Sequence, residues 1–196
     1  MKKKLFFVIA TILLCALCLA ACDSYASSVQ DIAELLKVNY SSVTLNITTT
    51  TSGVTLKGTY KLTFEEGKTT VDYDFYRFNE LSVDNDNAEG YQTRVMGSAV
   101  VQDGYIVEGD QSVQLPNEIN FNGISFKQAF FSNCTTTSTK FEGTVVNPKG
   151  FTGNQSLVCT DMRVKVLYSK EALSQIAITY VSENGSDVSV IYLFTK

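Results

Sequence analysis

The chain opens with an apolar run from Leu5 to Leu19, interrupted only by Thr11, and then changes period twice. Val29, Ile32, Leu35 and Leu36 fall on one helical face, and that pattern ends near Asn39. Ser28 and Asp31 have the spacing of a capping box, with Asp in place of the usual Glu or Gln, which predicts one helix beginning at Ser28 behind a polar tether. From Ser41 the period becomes two. Val43, Leu45 and Ile47 alternate with polar residues, and Thr50 to Gly53 makes a turn. Val54, Leu56, Gly58, Tyr60, Leu62 and Phe64 then alternate with Thr and Lys, so one face of this strand is apolar and the other wet.

After a Glu65–Lys68 turn, Val71, Tyr73 and Phe75 continue the alternation, and Tyr76, Arg77 and Phe78 break its phase as a bulge would. Asp84 to Gly90 reads as a polar loop and Tyr91 to Val101 as a strand, with Asp103-Gly104 turning into Tyr105 to Glu108. From Gly109 to Asn133 the pattern is irregular. A short apolar segment, Ile124 to Phe131, predicts one or two helical turns there. Residues 135–160, rich in Thr and Gly and containing Pro148, are either a long excursion or a broken strand pair. Met162 to Tyr168, Ile176 to Tyr180 and Val188 to Phe194 restore period two, predicting a closing three-stranded meander with a turn at Asn184-Gly185. The expected class is mainly β (α+β): a curved antiparallel sheet or incomplete β-barrel with one N-terminal helix and a short helical insert.

The first segment carries a different message. Lys2, Lys3 and Lys4 precede the apolar run, which closes on small residues directly before a cysteine. This is the layout of a secretory signal, too short for a spanning helix. Leu19-Ala20-Ala21-Cys22 matches the lipobox of bacterial lipoproteins. The resemblance implies cleavage by signal peptidase II before Cys22, a diacylglycerol on its thiol with fatty chains such as palmitate, and a cell-membrane anchor on the extracytoplasmic face. Two chains hold far better than one, since each buried methylene adds roughly 0.8 kcal/mol. Asp23 resembles an inner-membrane retention signal of double-membrane bacteria, and carries no such meaning in a single-membrane host. The expected division is 1–21 signal peptide, 22–27 lipidated tether and 28–196 a single β-rich domain.

Composition narrows the chemistry. Removing residues 1–21 from the 196 leaves 175, enough for one substantial core, and takes three lysines and no acid, so the formal charge moves from −4 to −7. Such a surface is a poor match for nucleic acid. There is no histidine and no tryptophan. This removes His-based triads, imidazole zinc sites and histidine as a general base. No cofactor or metal is expected. Cys134 and Cys159 remain after processing, an even pair for an oxidising compartment. A disulfide between them is the expectation, with two free buried thiols as the alternative.

The order of helix, antiparallel strands, irregular insert and meander resembles the outer-membrane lipoprotein carrier family of LolA and its lipidated LppX- and LprG-type relatives. Ile32 to Tyr40 leading into Val43, Val54 to Phe64 with the Glu66-Gly67 turn, and Arg163 to Phe194 carry the likeness. The resemblance implies a half-barrel cavity for the acyl chains of a lipid or lipidated ligand. Tyr60, Leu62, Phe64, Val71, Tyr73 and Phe75 are the expected ligand-binding residues, unless they merely pack against the helix as ordinary core. A chain anchored through Cys22 is not a shuttle across a wide gap.

Other signals are weaker. Asp84, Asp86 and Gly90 have neither the sixth-position glycine nor the twelfth-position glutamate of an EF-hand. Glu65 and Glu66 sit together on a turn rather than across a cleft, and no phosphate loop or nucleophile elbow is present. The expected function is lipid or other hydrophobic ligand binding by a membrane-anchored lipoprotein of the cell envelope, not an enzyme. The alternative is a surface interaction or sensor module presenting the 109–160 excursion to a protein or envelope polymer.

Overall fold

The structure, a computed structural model, describes residues 25–78, 92–102, 105–107, 118 and 121–196. A helix, α1, covers residues 25–35. Strands follow as β1 (Ser42–Thr51), β2 (Val54–Glu65), β3 (Lys68–Phe78), β4 (Gln92–Gln102) and β5 (Tyr105–Val107). Short 3-10 turns at Phe121–Gly123 and Gln128–Phe130 lead into β6 (Phe131–Thr136), β7 (Lys140–Val145) and a five-residue helix, α2 (Pro148–Thr152). The chain ends in β8 (Cys159–Tyr168), β9 (Leu173–Ser182) and β10 (Asp187–Thr195).

These ten strands form one sheet in the order β5-β4-β3-β2-β1-β10-β9-β8-β7-β6, with antiparallel pairing throughout. The first and last strands meet at its centre, and β5 and β6 are its two edges. The sheet is therefore open. Residues 108–130 link opposite edges, and their described part lies on the apolar face near the middle. The Tyr192 hydroxyl of β10 donates to the Glu118 carbonyl at 2.8 Å. The Phe121 ring meets Phe64 of β2 and Phe194 of β10 edge-on, with centroids 5.8 and 5.9 Å away.

Period two sets which face is apolar. Leu45 pairs with Tyr60 and with Tyr192, Leu62 with Val71, and Ile176 with Val166, so one contiguous core runs across the sheet. α1 covers the β6–β10 half through Val29, Ile32 and Leu35, all buried. Tyr25 stacks on Phe141 of β7, and its hydroxyl donates to the Gln128 carbonyl at 3.0 Å. The Tyr40 hydroxyl donates to Leu35 O and accepts from Leu173 N, tying the end of α1 to β9. Phe126, Phe131, Phe141 and Phe151 form an aromatic cluster beneath this layer, with Phe126 and Phe131 stacked and the other contacts edge-to-face. Each such pair contributes about 0.5–1.5 kcal/mol beyond its buried area.

Four expectations change. The helix is already formed at Tyr25, so Ser28 lies within it, and its hydroxyl pairs with Thr136 at 2.7 Å rather than capping. Residues 25–27 thus belong to the domain and not to a tether. No bulge interrupts β3, whose register with β4 is unbroken from Thr69 to Phe78. The helical turn expected over Ile124 to Phe131 shrinks to Gln128–Phe130, because Phe131 already starts β6. Of the two alternatives for residues 135–160, the broken strand pair is the one observed: the end of β6 pairs with β7, and α2 leads on to β8. The leader with Cys22, the 84–90 loop, the Asp103-Gly104 turn and residues 109–117 lie outside the described residues.

Candidate functional site

The six aromatic and aliphatic residues expected to bind ligand do share one face, because Tyr60 pairs with Tyr73 and Leu62 with Val71 across β2 and β3. Their environments differ. Leu62, Val71 and Tyr73 are buried as core, at 5%, 0% and 5% exposure. Phe64 packs against Phe121 of the insert. Tyr60, buried at 6% exposure, and half-buried Phe75 are stacked with centroids 5.8 Å apart and line an open cleft of about 290 Å³.

That cleft draws on five neighbouring strands. Ile47 and Thr49 come from β1, Leu56 and Gly58 from β2, Phe75 and Tyr76 from β3, Val188 from β10 and Tyr180 from β9. Lining drawn from five neighbouring strands fits a curved sheet. Gly58 lets the Tyr60 ring lie against β2: a Cβ there would stand 3.0 Å from that ring and 3.1 Å from Phe75 Cβ, so a side chain would press on both cleft-lining residues.

One carboxylate faces this apolar surface. Glu118 lines the cleft and also a smaller adjoining space with Ile178, Tyr180, Val190 and Tyr192. Its backbone is fixed by Tyr192, and its side chain is hydrogen-bonded to Tyr180. Burial, followed by the negative charge of Glu118, pushes the Tyr60 phenol up to about 12. The same two causes, in the same order, lead the upward shifts of Tyr180 and Tyr192. All three hydroxyls therefore stay neutral donors at any physiological pH.

Tyr180, Val188 and Glu118 were not among the expected site residues. The first two were visible in the alternation of the closing meander, but only the β1–β10 pairing places them opposite Tyr60. Glu118 follows Pro116 in an aperiodic stretch and carries no local signal.

The cysteines are a correction. Both Cys134 and Cys159 are free. Cys134 lies on β6, over Gly143 of β7, with its thiol 2.8 Å from where a Cβ of that glycine would stand. Cys159 begins β8 opposite Ser182. With β7 between them and an offset of several residues along the strands, they are roughly 15 Å apart, beyond the 7 Å Cα limit for a bridge. Burial raises both thiols above their ordinary range, so neither is an activated nucleophile. Glu65 and Glu66 stand at the exposed β2–β3 turn. Among the described residues no group of three or more His, Cys, Asp or Glu side chains gathers for a metal ion, and no helix is long and apolar enough to cross a membrane.

No family model matches the chain, and no curated protein matches it closely enough to count as a relative.

Proposed function

We propose that this chain is a membrane-anchored extracytoplasmic lipoprotein whose open sheet binds the apolar part of a lipid or similar hydrophobic ligand. The observation that carries the reading is the cleft beside Tyr60 and Phe75, walled by Ile47, Leu56, Val188 and Tyr180. Its volume lies near the lower end of small-molecule sites, about 300–1,000 Å³, which suits one acyl chain rather than a bulky two-chain lipid. The tyrosine hydroxyls and Glu118 are the few polar groups that orient such a ligand. Anchoring rests on Lys2 to Cys22 and the lipobox they contain.

Two experiments test the two halves. All described elements fall within residues 25–196 and share one core, so a chain starting at Asp23 contains the folding unit. Native mass spectrometry of that chain, after incubation with an envelope lipid extract, is expected to show adducts with the mass of a single-chain lipid. Protein that is adduct-free, and stays so after incubation with lysolipid and free fatty acid, counts against binding. For the anchor, Cys22→Ala is expected to abolish lipid labelling and release the protein from the membrane fraction; unchanged labelling rejects the assignment.

A further inference from the structure

The cleft contains more than apolar area. Tyr60, Phe75 and Tyr180 present three aromatic side chains around one space, and Glu118 adds a carboxylate to its lining. Rings attract cations through their electron-rich faces, and clusters of them with a nearby carboxylate suit ammonium groups in particular. Lys57 also borders the cleft, but it is exposed on the wet face of β2, where its ammonium is free to stay in water. The carboxylate is held in place rather than loose. Tyr180 of β9 hydrogen-bonds its side chain and Tyr192 of β10 its backbone carbonyl, from neighbouring strands near the centre of the sheet.

Placed on an otherwise apolar surface, a negative charge is costly unless the ligand compensates it. An anionic headgroup such as a fatty carboxylate or a phosphomonoester would meet Glu118 with like charge. A neutral headgroup would leave it uncompensated. We infer that the cleft selects an amphiphile with a positively charged ammonium headgroup on a single apolar tail, the headgroup held among Tyr60, Phe75, Tyr180 and Glu118 and the tail against Ile47, Leu56 and Val188. This rests on the ligand-binding reading above and names the class of ligand within it.

Three probes of equal tail length separate the possibilities: decyltrimethylammonium, decyl maltoside and decyl sulfate, each titrated calorimetrically below its micelle concentration into the chain starting at Asp23. The ammonium probe is expected to bind about tenfold more tightly than the maltoside, and the sulfate more weakly than either. Glu118→Gln is expected to erase the ammonium preference, bringing the ratio of ammonium to maltoside affinity to within about twofold of one. Tyr180→Phe, which keeps the carboxylate but loses its hydroxyl partner, is expected to lower the preference severalfold, and it decides the matter should Glu118→Gln fail to fold. Equal binding of all three probes, tighter binding of the sulfate, or a preference that survives these substitutions overturns the headgroup assignment while leaving apolar binding intact. Failure of every probe to bind overturns both.

Discussion

The Tyr40 hydroxyl joins three elements. It donates to Leu35 O at 2.8 Å and accepts from Leu173 N at 2.9 Å, both buried. Tyr40→Phe leaves that N–H without a partner, and urea unfolding is expected to show a loss of about 1–3 kcal/mol. Gly143 is a second such point, since a Cβ there would stand 2.8 Å from Cys134 Sγ. Gly143→Ala is expected to destabilise by about 1–3 kcal/mol, and adding Cys134→Ala should recover most of the loss. A full loss in the double variant would place the strain elsewhere. The tyrosines set the alkaline limit. Tyr60 is raised from 10.0 to about 12, so the folded state prefers the neutral phenol. That contribution is intact below pH 10 and disappears as pH rises toward 12. Circular dichroism is expected to record falling stability across this window, with a shallower fall for Tyr60→Phe.

Whether an element was legible in the sequence depended on whether its own residues determined it. β1, β2 and the β8–β10 meander alternate strictly, and their strands and turns follow from Val43, Val54 to Phe64, and Met162 to Phe194. The phase break read at Tyr76 to Phe78 was not a bulge. Aromatic side chains tolerate a half-exposed outer face, and Tyr76 is 40% exposed there without disturbing the ladder. The helix start was misplaced because Ser28 fits a cap locally, while a tertiary partner, Thr136 over a hundred residues away, takes its hydroxyl. β6 and β7 were ambiguous for a similar reason. Thr- and Gly-rich strands bury little, and their place is set by Phe131, Phe141 and Phe151 packing under α1 and α2. On β2, Gly58 separates the core from the cleft. Gly58→Val displaces the Tyr60 ring and Phe75 with a residue that suits a strand, so apolar binding is expected to fall at least about tenfold while the sheet persists. Unchanged binding would move the site away from this cleft.

At the scale of the molecule, a single topological fact organises the rest. β1 and β10 meet at the centre, so the edges β5 and β6 lie farthest apart and the segment joining them reaches the apolar face, where Glu118, Phe121 and Ile124 sit. The sequence pattern carried the open antiparallel sheet but not this pairing, and so it named Tyr60 and Phe75 without Tyr180, Val188 or Glu118. Half of the inner face is sealed by α1 and the phenylalanine cluster; the other half keeps a cleft. The most direct measurement of whether that cleft takes an apolar chain is a methyl-resolved NMR titration of the chain starting at Asp23 with decyltrimethylammonium. Saturable shifts and ligand contacts are expected at Ile47, Leu56 and Val188, with Val43, Val71 and Ile176 of the sealed core unmoved. Shifts confined to outward methyls such as Leu193, or no saturable shift at all, would contradict binding in this cleft.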